Sequence, residues 1–288
     1  MNKLTSYLFE TNAFRVCEEN KPFWYTSGKI GPYFVNVQFL YGSEKEANEL
    51  LDFINYELEN VPKESLPKDI FSKVLFQYEN NEIYACFINS LIDHIKNNIS
   101  LDDIDYISGG ERRDWFFSNM VAYILKKPHI TIFKDLTCIE SSYNFSINKL
   151  VNKVDKINVL HVADLLNQAS SYLRAWIPAV NSLGAKIVWS ICPVDRVQGG
   201  TQKLIEAGIK PMSLININNQ LFDEAFSLGI INKNQLTILK KFAESPDVSM
   251  KNFLISYPEF IKDSMNSSNE KIAKRAKLCI DTDIYNLK

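Results

Sequence analysis

The chain has 288 residues, 46% hydrophobic and 23% charged, and a formal charge of −2 at pH 7. This is the composition of a soluble globule with room for one large α/β domain and an appendage, or for two modest domains. No net positive field is available to recruit nucleic acid or an anionic membrane, so any anion site must be local.

Cys17, Cys86, Cys138, Cys192 and Cys279 are scattered, odd in number and free of C-x-x-C spacing. They read as reduced thiols in a cytoplasmic protein. The opening MNKLTSYLFETNAF carries Glu10 inside an apolar pattern, which predicts a helix over 3–16 rather than a signal peptide. No apolar run approaches the ~20 residues of a membrane span.

PFWYTSG then predicts a strand at 22–26, a tight turn from Ser27 to Gly31, and a second strand over PYFVNVQFL. Ser43, with Glu46 three residues on, predicts a helix over 44–60. VPKESLPKD reads as a loop, and 83–97 as a helix within an ambiguous 70–100. From 104 the rhythm is clear: strand IDYISGG, loop ERRD, helix WFFSNMVAYILKK stopped by Pro128, and strand HITIF. A polar stretch over 134–156 precedes strand INVLHVAD and a helix over 170–183, which Pro178 should kink or end. Strand AKIVWSICPVD, a helix from Thr201 to Ala207 closed by Gly208, and strand KPMSLINI complete the alternation. The fold class is therefore α/β, with a mainly parallel sheet covered by helices on both faces. Four helical patterns follow residue 220, and 235–288 is expected to form a helical extension packed on the α/β core.

Ligands of such sheets sit beyond the carboxyl ends of the strands, and three strand ends carry candidate chemistry. Asp164 closes one strand, and Ala169, Ser170 and Ser171 open the next helix. Unpaired first-turn amides can seat a phosphate there, or the serines can simply cap the helix. In SGGERRDW (108–115), Gly109 and Gly110 permit close backbone approach. Arg112 and Arg113 can grip an anion there, or form a solvated edge paired with Glu111 or Asp114. In PVDRVQGG (193–200), Asp195 and Arg196 stand before a glycine pair, where a surface ion pair is the ordinary alternative. Trp24, Tyr33 and Phe34 flank the Ser27 turn and can face a flat ligand. The three histidines lack ligand-like spacing, and His161 reads as a core residue. KIAKRAK (271–277) is a basic cluster that a solvated helix face explains.

Taken in order, these segments resemble the type I phosphoribosyltransferases, and among them the orotate enzymes. YLFETNAFRV and KPFWYTSGKIGPYFVN resemble the opening helix and Ser-Gly segment of that family, IDYISGG and its loop resemble the pyrophosphate loop, and VLHVADLLNQASS resembles the phosphoribosyl-pyrophosphate motif. The likeness covers residues 4–234, with a longer segment at 42–103 than is usual, and implies a domain over 1–234 with a small N-terminal hood over 1–40. It implies transfer of phosphoribosyl from phosphoribosyl pyrophosphate to a pyrimidine-like base, with Mg²⁺ carried on the donor, in a cytoplasmic homodimer. The alternative it leaves is an inactive relative that binds a phosphorylated sugar or nucleotide.

Carried over residue by residue, the resemblance assigns Asp164, Gln168, Ala169, Ser170 and Ser171 to the phosphoribosyl group. Ala163 stands where the family has its first acid, and Asn167, Gln168 and Ala169 replace its turn Thr and Gly. Arg113 matches the basic residue of the pyrophosphate loop, with Arg112 beside it. Ser27, Lys29, Tyr33, Phe34 and Arg196 are implied at the base pocket, with Thr26 in place of a family lysine. Of the basic residues of the family's catalytic loop only Lys134 is kept, without the glycines or the histidine.

Overall fold

Phe14, Arg15 and Val16 lie in a strand, not in the last turn of the opening helix. The computed structural model describes residues 2–154 and 158–287. In it α1 (Asn2–Glu10) ends in a turn where Asn12 takes φ 59°, a left-handed conformation that asparagine tolerates. The chain then enters β1 (Phe14–Val16). β2 (Phe23–Trp24) and β3 (Ile30–Gly31) form a short hairpin, and β4 (Tyr33–Val35) pairs antiparallel with β1. The strand expected over 32–40 stops at Val35, because buried Val37–Tyr41 wind into a 3₁₀ helix.

α2 (Glu44–Asn60) starts as expected, with the Ser43 hydroxyl accepting from the Glu46 amide at 3.2 Å. The loop expected over 61–69 is shorter, since α3 (Leu66–Asn80) takes Pro67 into its first turn, where a missing N–H costs nothing. α4 (Glu82–Asn98) follows, capped by Asn81. These three helices fill the long 42–103 segment.

β5 (Tyr106–Gly110), α5 (Trp115–Leu125) and β6 (His129–Ile132) make a parallel βαβ unit. α5 is apolar all round, with Trp115, Phe116 and Phe117 fully buried, and each such side chain contributes about 1.5–3 kcal/mol. The polar stretch from 134 does not form an open loop. β7 (Cys138–Ser141) and β8 (Asn148–Leu150) extend the sheet antiparallel from β6, although residues 155 and 156 of that stretch lie outside the described residues. Period-two polarity on an exposed edge hides a strand as readily as a loop does.

β9 (Asn158–Val162) pairs with β5, while Ile157, the expected start of that strand, lies outside the described residues. β10 (Leu165–Leu166) runs beside the end of β11 (Lys186–Asp195). The intervening helix has a π segment at Tyr172–Trp176, where the Ile177 amide reaches back to the Tyr172 carbonyl, and then α6 (Ile177–Ser182). The expected effect of Pro178 thus takes the form of a widened turn. α7 (Gly200–Glu206) and β12 (Lys210–Asn216) follow. The sheet runs β12-β11-β9-β5-β6-β7-β8, parallel from β12 to β6, with helices flanking it. Strand order reverses between β5 and β9, which puts the switch-point crevice at the ends of those two strands.

α8 (Asn219–Ser227), α9 (Lys233–Glu244), α10 (Pro246–Ser256), α11 (Glu259–Met265) and α12 (Glu270–Asp281) complete the chain. Pro258 divides the single helix expected over 250–265. The compact units differ from the expected division at 234/235. Residues 37–217 form one unit, and residues 1–36 with 218–288 form the other. Inside the second unit, Trp24 stacks on Phe260 at 5.6 Å and its Nε1 donates to Ser264 Oγ at 2.9 Å. Arg275 donates to the Trp24 carbonyl, and the Ile30 amide to the Tyr285 hydroxyl. The C-terminal helices therefore complete the core of the N-terminal hood. No helix among the described residues is long and apolar enough to cross a membrane.

Candidate functional site

At the switch point a cavity of about 410 Å³ opens between the β5–α5 loop and the turn after β9. Arg112, Arg113, Lys134, Asp164, Gln168, Ala169, Ser170 and Ser171 all line it. The two halves proposed on separate strand ends therefore share one crevice.

Its first wall is the Glu111–Asp114 loop. Arg112 is steadied by a hydrogen bond from Nη1 to Asn55 Oδ1 on α2. Arg113 is exposed, and its charge acts on Asp164. The arginines do not pair with Glu111 or Asp114 in the way the sequence allows. Glu111 instead takes Lys134, whose Nζ lies 3.3 Å from Oε1 and whose amide donates to Oε2 at 3.0 Å. Asp114 turns inward, accepting from the Gly110 amide at 2.8 Å and the Asp164 amide at 3.0 Å. The glycine pair serves packing rather than ligand approach. A Cβ at Gly109 would stand 2.2 Å from Ser118 Oγ, and one at Gly110 2.2 Å from the Trp176 ring.

The second wall is the turn 163–171. Ala169 takes φ 54°, so the turn keeps a left-handed conformation suited to glycine although the residue is alanine. Its carbonyl accepts from the Leu173 amide at 3.1 Å, and the amides of the first turn after it have no partner within the helix. Such amides favour an anion without a basic residue. Replacing Ala169 by Gly relieves the strain, and we expect stability to rise by about 1 kcal/mol, read as a higher denaturant midpoint.

Asp164 is the carboxylate that this turn brings to the cavity. Burial, then repulsion from Asp114, pushes its pKa up to about 7, and the Arg113 charge only partly opposes this. Behind it lies a polar layer inside the sheet. His161 Nε2 is 3.3 Å from Asp114 Oδ2, and His161 Nδ1 is 2.9 Å from Ser108 Oγ. His129 bridges Ser118 and Thr131, and burial followed by the nearby His161 brings its pKa down to about 3.

The remaining candidates fall elsewhere. Arg196 does not line the cavity, although its amide donates to the Leu166 carbonyl at 2.9 Å. Asp195 is consumed in holding its own loop, accepting from the Val197 amide and the Thr201 hydroxyl. Ser27, Lys29, Tyr33 and Phe34 belong to the unit of 1–36 and 218–288. There Lys29 Nζ is 2.7 Å from Asp247, and Tyr33 is 4% exposed, packed between Phe14 and Phe242. Tyr33 thus presents no open face to a base. Phe34 packs near Phe23 and Tyr25, and Ser27 is exposed.

Lys134 sits in a tight hairpin turn between β6 and β7, where the Phe133 amide donates to the Thr137 carbonyl at 2.9 Å. An ion pair from Lys63 to Asp135 anchors that turn. Where the family resemblance places a long mobile loop, this chain has a sheet extension.

The strand order and the switch-point crevice define a type I phosphoribosyltransferase fold. Orotate and adenine phosphoribosyltransferases are among the proteins the chain resembles. It is 26% identical over 164 residues to the orotate phosphoribosyltransferase of Sulfurisphaera tokodaii, covering 56% of this chain and 77% of that one. It is also 26% identical over 180 residues to the adenine phosphoribosyltransferase of Aeromonas salmonicida, covering 59% of this chain and 97% of the other. The UMP synthase of Leishmania donovani superposes with a TM-score of 0.55 at 14% identity, over 84% of this chain and 42% of that enzyme, so the chain spans less than half its length. No family model matches the chain.

Proposed function

We propose that the crevice binds phosphoribosyl pyrophosphate and that the chain transfers its phosphoribosyl group to a nucleobase-like acceptor in nucleotide metabolism. The observation that carries this reading is the joining of Arg112 and Arg113 with the 164–171 turn around one cavity. The turn amides and Ser170 and Ser171 suit the 5′-phosphate, Asp164 the ribose hydroxyls, and the arginines the pyrophosphate. In the transfer the bond from ribose C1 to pyrophosphate breaks and a bond from C1 to a base nitrogen forms. Cations beside the departing pyrophosphate stabilise the charge it gains.

The described residues contain no group of three or more His, Cys, Asp or Glu side chains able to hold a metal. In this reading Mg²⁺ arrives with the donor's phosphate oxygens as part of the substrate. The acceptor is expected to be orotate or another pyrimidine, by resemblance, in a cytoplasmic homodimer.

A second reading, binding without turnover, is favoured by Ala163 in place of an acid and by the hairpin that holds Lys134 against Glu111. Incubation with phosphoribosyl pyrophosphate, Mg²⁺ and a panel including orotate and adenine separates the two. Base-dependent pyrophosphate release supports transfer. Donor binding by calorimetry without release from any base supports the second reading, and no donor binding removes both. In the same assays Glu111→Gln frees Lys134, and we expect a few-fold gain in donor affinity, in keeping with the modest worth of an ion pair whose lysine end is open to solvent.

A further inference from the structure

We propose that Asp114 is the positioning residue of this crevice, one buried carboxylate that ties the end of β5 to the end of β9 and so sets the shape of the anion cradle. The inference rests on reading the crevice as an anion site, and names the group that assembles it.

Asp114 precedes α5, where an aspartate ordinarily caps its own helix, yet its side chain makes no such cap. Both oxygens are directed instead to strand-end amides. Oδ2 accepts from Gly110 at 2.8 Å and Oδ1 from Asp164 at 3.0 Å, and these amides lie on either side of the strand-order reversal. Hydrogen bonds from amides to a carboxylate are stronger than neutral ones, and burial keeps water from replacing them. Asp114 is 7% exposed and His161 is fully buried. His161 backs the carboxylate through Nε2 at 3.3 Å, and its Nδ1 is oriented by Ser108 at 2.9 Å. His161 thus lies behind the carboxylate without completing a hydrogen bond from Nε2, and the loops bearing Arg113 and Asp164 hang from Asp114. Asp114 borders the crevice, but its two oxygens are taken up by the Gly110 and Asp164 amides, so it acts through the loops it holds, as a positioning residue does.

The same carboxylate ties the cradle to pH. The groups acting on or facing Asp164 are Arg113 and Asp114 from the β5–α5 loop, Tyr172 from the following helix, Cys192 from β11 and Lys134 across the cavity, with His161 behind Asp114. Once Asp164 ionises, a second negative charge stands beside the bound anion, so pyrophosphate binding weakens as pH rises through that ionisation. Removing the Asp114 charge lets Asp164 ionise earlier, which moves the inflection to lower pH.

Inorganic pyrophosphate is the probe, titrated by calorimetry against the full chain from pH 5 to 9, with amide hydrogen exchange on the ligand-free protein. In Asp114→Asn, a single acceptor oxygen faces two amides. We expect exchange at Gly110 and Asp164 to quicken about tenfold, pyrophosphate affinity to fall about tenfold, and the pH inflection to move down. His161→Gln leaves the carboxylate in place but removes its support, so a smaller loss of affinity is expected. Should Asp114→Asn not fold, that variant decides the matter alone, and unchanged affinity in it overturns the proposal. Wild-type binding with Asp114→Asn equal in affinity and inflection overturns the positioning role and leaves the anion site standing. No pyrophosphate binding by the wild type overturns the anion site and the positioning role together.

Discussion

Arg113→Ala is expected to lower affinity for pyrophosphate and for phosphoribosyl pyrophosphate by about a hundredfold, while Arg112→Ala costs several-fold less. The difference follows from what each side chain already holds. Arg112 lines the cavity but spends one guanidinium donor on Asn55, whereas Arg113 is exposed and its charge acts on Asp164 across the crevice. A fork of donors with a full charge makes roughly two charge-assisted hydrogen bonds to a phosphate, and removing it forfeits both, on the order of 3 kcal/mol. Lysine restores the charge but not the fork, so Arg113→Lys should recover only part of the loss. Competition calorimetry with inorganic pyrophosphate at fixed ionic strength reads the effect. Equal affinity in the wild type and Arg113→Ala would remove Arg113 from the site. The loss should shrink at high salt, because one face of the crevice is open to solvent.

That Arg113 is a candidate for the site can be reasoned from SGGERRDW alone, since fork-shaped cations on a loop after a parallel strand sit where α/β folds bind ligands. What the string cannot supply is which acid partners which cation. Four charged residues in a row allow several pairings, and the observed one depends on Lys134, 23 positions after Glu111, arriving in the turn that follows the neighbouring strand β6. The role of Asp114 is hidden for a related reason. Its partners are two backbone amides and a histidine from β9, and backbone donors leave no mark in a sequence. His161 reads as a core residue, and it is buried, but its apolar neighbours conceal that the strand's inner layer is hydrogen-bonded.

Parallel strands with continuous apolar runs, such as IDYISGG and AKIVWSICPVD, are read directly because nothing else sustains that pattern between glycines. The antiparallel strands β7 and β8 are short and β8 is largely exposed, so their sequence resembles a loop. Pro67 misleads in the same way, since proline inside a helix is destructive but proline in the first turn is welcome, and only the register of α3 separates the cases. The grouping of 218–288 with 1–36 rests on contacts between residues more than 200 positions apart, among them Trp24 with Ser264 and Lys29 with Asp247. Amphipathic helices announce that they need a partner surface without saying which one. For Tyr33 and Lys29 the partners are in these helices, Phe242 and Asp247.

Asp164→Asn provides the largest expected change in stability, and its size depends on pH. In the folded chain burial and Asp114 raise the Asp164 pKa to about 7, against an ordinary carboxylate value near 3.8. The folded state therefore holds a proton that the unfolded state releases between pH 4 and 7, so the contribution of this group to stability declines as pH rises through that window. Below pH 4 the carboxyl is neutral in both states and contributes no such cost, while above pH 7 the full cost of a buried anion is present. About three pKa units correspond to about 4 kcal/mol, and partial access of water to the half-buried side chain brings the expected figure to about 2 kcal/mol. Asparagine keeps the shape without the charge. The variant should exceed the wild type by that amount at pH 8 and match it at pH 4, read from urea midpoints at constant slope. A gain of equal size at both pH values would mean that packing, not ionisation, is responsible. The charge that makes Asp164 costly in the empty crevice is the one a ribose diol or the Arg113 guanidinium can compensate, so the variant that folds better is expected to bind phosphoribosyl pyrophosphate worse. Such an exchange of stability for binding is the mark of a carboxylate kept for a ligand rather than for the fold.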